Sequence, residues 1–206
     1  PPPRRYLTMA QAFLEPSPPR LLAVGGLSGS GKTTLARALA PEIGAPPGAL
    51  VLRSDEIRKS VCGKAPLDRL GPDGYTARVT ARVYGAIEAR ARLVLRTGHA
   101  AIADAVYSDP GRRLRIASVA RSLDVPFTGI WLEAPLATMV SRVTSRQTDA
   151  SDADALVVRR QHAQDTGAID WHRLDASGSA ADVLEQARAV GLGRERISYE
   201  PASHSS

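Results

Sequence analysis

The stretch "GGLSGSGKTT", residues 25–34, fits the pattern G-x-x-x-x-G-K-[ST] from Gly26 to Thr33 and strongly restricts the local fold. It follows the apolar stretch "LLAV" and precedes "LARALA", whose apolar residues repeat with helical spacing. Glycines let the backbone turn its N–H groups toward an anion, and the following helix adds free N–H groups and the positive end of its dipole. A flexible Gly/Ser linker is the alternative, but the position between a strand and a helix favours a phosphate-binding loop.

The residues that end this loop indicate a nucleoside triphosphate with a divalent metal. Lys32 supplies a positive charge for the β- and γ-phosphates, so we expect it to act in catalysis, and the Thr33 hydroxyl can ligate Mg²⁺. ATP and Mg²⁺ are therefore the expected cofactors. The residues that we expect to bind the nucleotide here are Gly26, Leu27, Ser28, Gly29, Ser30, Gly31, Lys32, Thr33 and Thr34.

Beyond the loop, short apolar segments alternate with helical patterns. This order predicts a parallel sheet with helices on both faces, and such sheets bind ligands outside the carboxyl ends of their strands. The predicted strands lie in residues 20–26, 48–55, 99–106, 125–135 and 171–179. Asp152 is predicted to cap the helix that follows it, and Ser179 with Asp182 is predicted to form a capping box for the last helix.

Two acidic residues follow predicted strands at this edge of the sheet. Asp55 could accept a proton from a substrate hydroxyl, so we expect it to be catalytic; the alternative is that Asp55 or Ser54 caps the next helix. Asp104 ends the third strand, where an acid can hold Mg²⁺ or its waters; the alternative is that it only caps a loop. Ala105 stands where many hydrolysing ATPases carry a second acid, which argues against a plain ATPase.

Two arginines precede the polar segment "TDASDAD", residues 148–154. Arg142 and Arg146 are one helical turn apart, so their guanidinium groups would share one face. We expect them to form a lid that closes over the phosphates, with Arg146 catalytic and Arg142 binding the nucleotide. The alternative is a solvated helix face with ion pairs.

The composition indicates the cellular compartment and the kinds of ligand to expect. The 206 residues carry a formal net charge of +6, and the basic residues are nearly all arginine, because Lys32, Lys59 and Lys64 are the only lysines. Arginine suits phosphate or carboxylate binding, and coding bias in a GC-rich genome is the alternative source of the excess. Cys62 is the only cysteine, and there is no long apolar run or signal peptide, so we expect a cytoplasmic protein with no membrane partner.

The chain divides into three parts. Prolines crowd residues 1–20, which we expect to be a linker or N-terminal arm; residues 21–192 would form one domain, and residues 193–206 a tail. The absence of an initiator Met favours a fragment of a longer protein. Trp131 and Trp171 are expected in or beside the core.

Five stretches carry a resemblance to a known family: "GGLSGSGKTTLARALA", "VLRSDEIRK", "WLEAP", "DASDADALVVRRQ" and "WHRLDASGS". Across these stretches the chain resembles the P-loop kinases of the gluconate kinase, chloramphenicol phosphotransferase, zeta toxin and polynucleotide kinase type. More closely, it resembles the AAA-type ATP-binding kinase-like domain that many bacteria fuse behind an aminoglycoside-phosphotransferase-like domain. The stretch "YLTMAQAFLEPSPP" is similar to the linker of such fusions, so a fused or associated phosphotransferase-like domain is an expected partner.

The resemblance implies a three-layer P-loop NTPase fold: a five-stranded parallel sheet in the order 2-3-1-4-5, with helices on both faces and an arginine-bearing lid. It implies that Asp55 is the base and that Arg58 contacts substrate or phosphate. The loop "DASGS" would hold the adenine ring through Ser177 and Gly178. The acceptor pocket is expected near Asp55, Arg58, Lys64, Tyr75, Arg78 and Arg82, which suggests an acidic or polyhydroxylated substrate.

These features predict an ATP- and Mg²⁺-dependent kinase that transfers the γ-phosphate to a hydroxyl of a small molecule. One alternative keeps the enzyme but makes the acceptor the 5′-hydroxyl of a polynucleotide. The basic charge favours it weakly, but the scarcity of lysines and aromatics gives no clear strand-binding track. Another alternative is a nucleotide-binding module that regulates a partner without catalysis.

Overall fold

The computed structural model describes residues 18–145 and 152–190. Arg146, which we expected in the lid, lies outside these residues, as do most of the predicted arm and the whole of the predicted tail. The division into arm, domain and tail therefore stays a prediction.

The described part of the chain contains one five-stranded parallel sheet. Its strands run in the order β2-β3-β1-β4-β5, which confirms the predicted order. In the register of β1, Val24 lies beside Asp104 on one side and Ile130 on the other. The carboxyl ends of these strands therefore meet at one edge of the sheet. The strands are β1 (Leu21–Gly26), β2 (Leu50–Arg53), β3 (Ala101–Asp104), β4 (Phe127–Glu133) and β5 (His172–Asp175).

Helices connect the strands and cover both faces of the sheet, as predicted. They are α1 (Lys32–Leu39), α2 (Ser54–Val61), α3 (Ala77–Arg96), α4 (Pro110–Arg121), α5 (Leu136–Thr144), α6 (Ala155–His162) and α7 (Ala180–Ala189). Short 3₁₀ helices cover Ala40–Glu42 and Pro72–Tyr75. Among the helices that the structure describes, none is long and apolar enough to cross a membrane.

The central strand contributes to two hydrophobic cores. Leu21 and Ala23 of β1 pack in a cluster with residues of α3 and α4, whereas Leu22 and Val24 pack in a cluster with residues of α1 and α7. Alternate side chains of a strand point to opposite faces, and helices cover both, so every residue of β1 is buried. This burial fixes the central strand and so the position of the loop that follows it.

The edges of two helices differ from the predictions. α2 begins at Ser54, with Arg53 as its N-cap and no side-chain capping bond, so the alternative in which Ser54 or Asp55 caps this helix is wrong. α6 is capped by Asp154, whose carboxylate accepts a hydrogen bond from the backbone N–H of Val157 at 2.9 Å. The prediction that Asp152 caps α6 is therefore wrong, and Asp152 is free to make contacts elsewhere.

Other local predictions are confirmed. Ser179 and Asp182 form a capping box, in which each side chain accepts from the backbone N–H of the other. Trp131 and Trp171 are buried in the core on the α3 and α4 side of the sheet.

Candidate active site

The loop between β1 and α1 has a shape that depends on glycine. Gly26 has a φ of 135° and Gly29 a φ of 84°, backbone conformations that residues with a side chain rarely adopt. A Cβ on Gly26 would lie 2.7 Å from the carbonyl oxygen of Leu132, and a Cβ on Gly29 would meet the carbonyl oxygen of Met139. The loop is thus held closely against the end of β4 and against α5.

Lys32 begins α1 and folds back over this loop. Its Nζ donates a hydrogen bond to the carbonyl oxygen of Leu27 at 2.9 Å. The ammonium group therefore stays beside the loop, where it faces the charge of any phosphate that the loop receives.

Thr33 and Asp104, the two predicted metal ligands, are in contact. The Thr33 hydroxyl donates to Oδ2 of Asp104 at 2.6 Å, and Nε of Arg53 lies 3.7 Å from the same oxygen. Asp104 is only 3% exposed. Burial raises the pKa of Asp104, while the nearby Lys32 charge and the hydrogen bond from Thr33 act in the opposite direction.

This pair fits Mg²⁺ bound together with a nucleotide. Within residues 18–145 and 152–190, no group of three or more His, Cys, Asp or Glu side chains could hold a metal by itself. Mg²⁺ commonly takes only one or two protein carboxylates, completing its shell with phosphate oxygens and water. The Thr33 hydroxyl and the single buried carboxylate of Asp104 lie beside the loop, so they match this mode of Mg²⁺ binding.

Asp55 lies across a small cavity from these residues. The cavity has a volume of about 30 Å³ and joins the loop, the start of α2 and the end of β3. Asp55 is half-buried and forms part of the cavity wall. The structure thus brings together the predicted base, the loop lysine and the two predicted metal ligands. The cavity is lined by Ser28, Gly29, Gly31, Lys32, Thr33, Ser54, Asp55, Asp104 and Val106.

A larger cavity also borders the loop and shares Gly31 with the small one. It has a volume of about 430 Å³, which suits a nucleoside. Its wall includes Arg142, whose guanidinium donates to the carbonyl oxygens of Ala176 at 2.9 Å and Gly178 at 3.2 Å. The predicted nucleotide residues Ser30, Gly31, Thr34, Arg142 and Gly178 line this cavity, together with Leu35, Ser145, Ala176, Ser179, Ala180 and Val183.

Ser177, also predicted to contact the adenine base, does not line the larger cavity. Its backbone N–H donates to Oδ1 of Asp175 at 2.8 Å. Arg142 lines the larger cavity, while its predicted lid partner Arg146 lies outside the described residues.

The residues predicted to line an acceptor pocket do not all converge. Arg58 is buried, donates to the carbonyl oxygen of Gly74 at 2.8 Å and to the Thr80 hydroxyl at 3.1 Å, and stacks on the Tyr75 ring. Its guanidinium therefore holds the 3₁₀ helix at Pro72–Tyr75 against α3. Four of the predicted residues are exposed and line neither cavity: Lys64, Tyr75, Arg78 and Arg82.

Sequence reasoning missed a buried ion pair beside this region. Lys59 is 1% exposed, and its Nζ lies 3.4 Å from Oδ1 of Asp152. Oδ2 of Asp152 also accepts from the Tyr75 hydroxyl at 2.9 Å and from the backbone N–H of Leu70 at 3.2 Å. Partial burial and the Asp152 carboxylate raise the pKa of Tyr75, so its hydroxyl remains a donor. The scarcity of lysines in an arginine-rich chain was the one signal that pointed to Lys59.

Gln161 was missed as well. It lies near the end of α6, and its Oε1 accepts a hydrogen bond from the backbone N–H of Ser28 at 2.8 Å. No local pattern marks a contact between residues so far apart in the chain.

Comparisons with known proteins identify the family and the fold of the chain. The family model AAA_33, described as an AAA domain, matches residues 21–166. The chain belongs to this family. Its fold is that of the P-loop kinases, as the resemblance implied.

Two solved structures share the fold at low sequence identity. A sugar kinase from Janibacter sp. is 20% identical, with a TM-score of 0.61 over 84% of this chain and 94% of its own. The Mycobacterium tuberculosis APS kinase CysC, solved in complex with AMPPNP and APS, is 20% identical, with a TM-score of 0.57 over 85% of this chain and 96% of its own.

A curated relative is a longer protein. Uncharacterized protein Rv2004c of Mycobacterium tuberculosis is 32% identical over 194 residues, which cover 89% of this chain but 37% of that protein. The chain thus spans little more than a third of the length of this relative. A fused or associated phosphotransferase-like domain stays a prediction.

Proposed function

We propose that this domain is an ATP- and Mg²⁺-dependent kinase that transfers the γ-phosphate to a hydroxyl of a small molecule. The observation that carries the proposal is that Asp55 shares one small cavity with Lys32, Thr33 and Asp104. The Asp55 carboxylate therefore shares a cavity with the loop that would hold the phosphates. The sugar kinase and the APS kinase that share the fold support a small-molecule acceptor.

In the proposed reaction Asp55 is the general base. The acceptor hydroxyl oxygen attacks the γ-phosphorus, its proton passes to the Asp55 carboxylate, and the bond from phosphorus to the β–γ bridging oxygen breaks, so ADP leaves. Lys32 is positioned to balance the charge that develops on the phosphoryl oxygens. Mg²⁺, held by Thr33 and Asp104, would supply further charge neutralisation.

The nucleoside would occupy the larger cavity that borders the loop. Arg142 holds the segment at Ala176 and Gly178 in place by two hydrogen bonds, so it shapes the wall that the adenine base would contact. In this proposal Arg142 binds the nucleotide through that wall. Arg146 remains the candidate for a cation that closes over the phosphates during transfer.

The function is tested by a transfer screen. The protein is incubated with Mg²⁺ and ATP labelled in the γ-phosphate, against sugars, sugar acids, nucleosides and oligonucleotides with a free 5′-hydroxyl. We expect label on a small-molecule alcohol, and none with Lys32→Ala. Arg96→Ala is the control because it also removes one positive charge, and Arg96 is exposed at the end of α3, before the amino end of β3.

The alternatives give different results in the same screen. Label confined to oligonucleotides, with activity that falls steeply as salt rises, identifies a polynucleotide kinase. Tight ATP binding without transfer to any acceptor identifies a regulatory module. Either result rejects the small-molecule kinase.

A further inference from the structure

One N–H group of the phosphate loop already has a partner from a distant helix. The backbone N–H of Ser28 donates to Oε1 of Gln161 at 2.8 Å, across 133 residues of sequence. Ser28 lines the small cavity that also contains Asp55 and Asp104, and it does not line the larger nucleoside cavity. Oε1 of Gln161 therefore accepts a hydrogen bond from a loop N–H on the side where the γ-phosphate would lie.

The chemistry of the amide fixes its orientation. Only the carbonyl end of a glutamine can accept a hydrogen bond from an N–H, so Oε1 faces Ser28 and Nε2 faces away. A phosphoryl oxygen is also an acceptor, so a bound γ-phosphate would compete with Oε1 of Gln161 for the Ser28 N–H. Rotation about the last side-chain torsion, which is broad and roughly two-fold, exchanges Oε1 for the donor Nε2.

Rotation of the side chain is favoured over withdrawal of the helix. Val158 of α6 is fully buried in a cluster with Met139 and Val143 of α5. Just before α6, Asp152 is held by Lys59, Leu70 and Tyr75. Because both contacts anchor α6, the amide can turn at much lower cost than the helix can move.

We propose that Gln161 is a nucleotide-binding residue that distinguishes ATP from ADP. Without nucleotide its carbonyl holds the Ser28 N–H. With ATP bound, the amide has turned, Nε2 donates to a γ-phosphoryl oxygen, and the Ser28 N–H faces the phosphates. The proposal rests on the proposed function in taking ATP as the ligand of the loop, and it adds a residue that reads the γ-phosphate.

The test compares two nucleotides in calorimetric titrations, Mg²⁺ with AMPPNP and Mg²⁺ with ADP. Gln161→Glu keeps the shape and the acceptor but removes the donor and adds a negative charge. We expect it to weaken AMPPNP binding at least about 10-fold more than ADP binding, the usual range for a hydrogen bond to a charged group. Gln161→Ala, which adds no charge, should weaken AMPPNP selectively by a smaller factor. The matched control is Gln164→Glu, the same change at an exposed glutamine three residues further on, just after α6.

The outcomes separate this proposal from the proposed function. Equal loss of AMPPNP and ADP affinity in both Gln161 variants would mean that Gln161 only supports the loop, and would overturn the proposal. Binding of AMPPNP at the level of the Gln164→Glu control would overturn it too. Failure of the wild-type protein to bind either nucleotide would instead overturn the proposed function itself. Melting curves of the nucleotide-free variants check that each protein is folded. If Gln161→Glu is not folded, the comparison of AMPPNP and ADP binding by Gln161→Ala tests the proposal.

Discussion

The hydroxyl of Thr33 donates to Oδ2 of Asp104 at 2.6 Å, although 71 residues separate them in the sequence. The contact follows from the sheet: β1 and β3 are neighbours, and Val24 lies in register with Asp104. The helix that begins after the loop therefore starts beside the end of β3. A buried carboxylate and a hydroxyl meet there because the strand order requires it.

This contact predicts a shared role in metal binding. Asp104→Asn and Thr33→Ala should each raise the Mg²⁺ concentration needed for half-maximal nucleotide binding, by about 10-fold, since each removes one oxygen ligand or its charge. Titration of Mg²⁺ at fixed AMPPNP measures this. Asp124→Asn is the control, because Asp124 is exposed and precedes β4 at the opposite edge of the sheet. Unchanged Mg²⁺ dependence in both variants would place the metal elsewhere.

The buried pair of Lys59 and Asp152 predicts strong energetic coupling. Removing one member leaves the other charge buried without its partner, so Lys59→Met or Asp152→Asn should each lower the free energy of unfolding by about 3 kcal/mol. The double variant should lose less than the sum, with a coupling energy of at least about 1 kcal/mol. Chemical unfolding of the four proteins completes the cycle.

A surface pair provides the comparison for this cycle. Arg188 and Glu42 lie closer together, at 2.6 Å, but both side chains are largely exposed. Water screens such a pair, so its coupling should be smaller despite the shorter distance. A larger coupling for the surface pair than for Lys59 and Asp152 would contradict the view that burial decides the strength of these contacts.

The contacts of Arg142 predict that its loss weakens binding of the whole nucleotide and not only of one phosphate group. Because its two hydrogen bonds hold the carbonyl oxygens at Ala176 and Gly178, Arg142→Ala should loosen the wall of the larger cavity. We expect AMPPNP and ADP to bind more weakly by a similar factor, about 10-fold, as the loss of charged hydrogen bonds suggests. Arg121→Ala, at the exposed end of α4, is the control. A selective loss of AMPPNP would show instead that Arg142 reaches the γ-phosphate.

Much of this site could be predicted because its signals are local. The spacing of Gly26, Gly31 and Lys32 specifies the loop, and the rule that ligands bind at the carboxyl ends of parallel strands places Asp55 and Asp104 beside it. The order of the strands came from resemblance and was confirmed.

The contacts of α6 could not be predicted in this way. Asp152 and Asp154 are equally good capping residues by type, and the geometry of the chain gives the cap to Asp154. Asp152 then bonds to Lys59, 93 residues earlier, a pairing that depends on how α6 packs and not on any local pattern. Gln161 reaches Ser28 for the same reason.

The proposed mechanism makes Asp55 the base for transfer to an alcohol. The most direct measurement compares wild-type protein, Asp55→Asn and the Asp124→Asn control with the acceptor identified in the screen, following the new phosphate ester by phosphorus NMR while AMPPNP affinity is measured in parallel. We expect Asp55→Asn to bind AMPPNP nearly as well as wild type but to form the ester about 10²–10⁴-fold more slowly, the usual contribution of a positioned general base. Ester formation by Asp55→Asn at the wild-type rate would contradict the proposed mechanism.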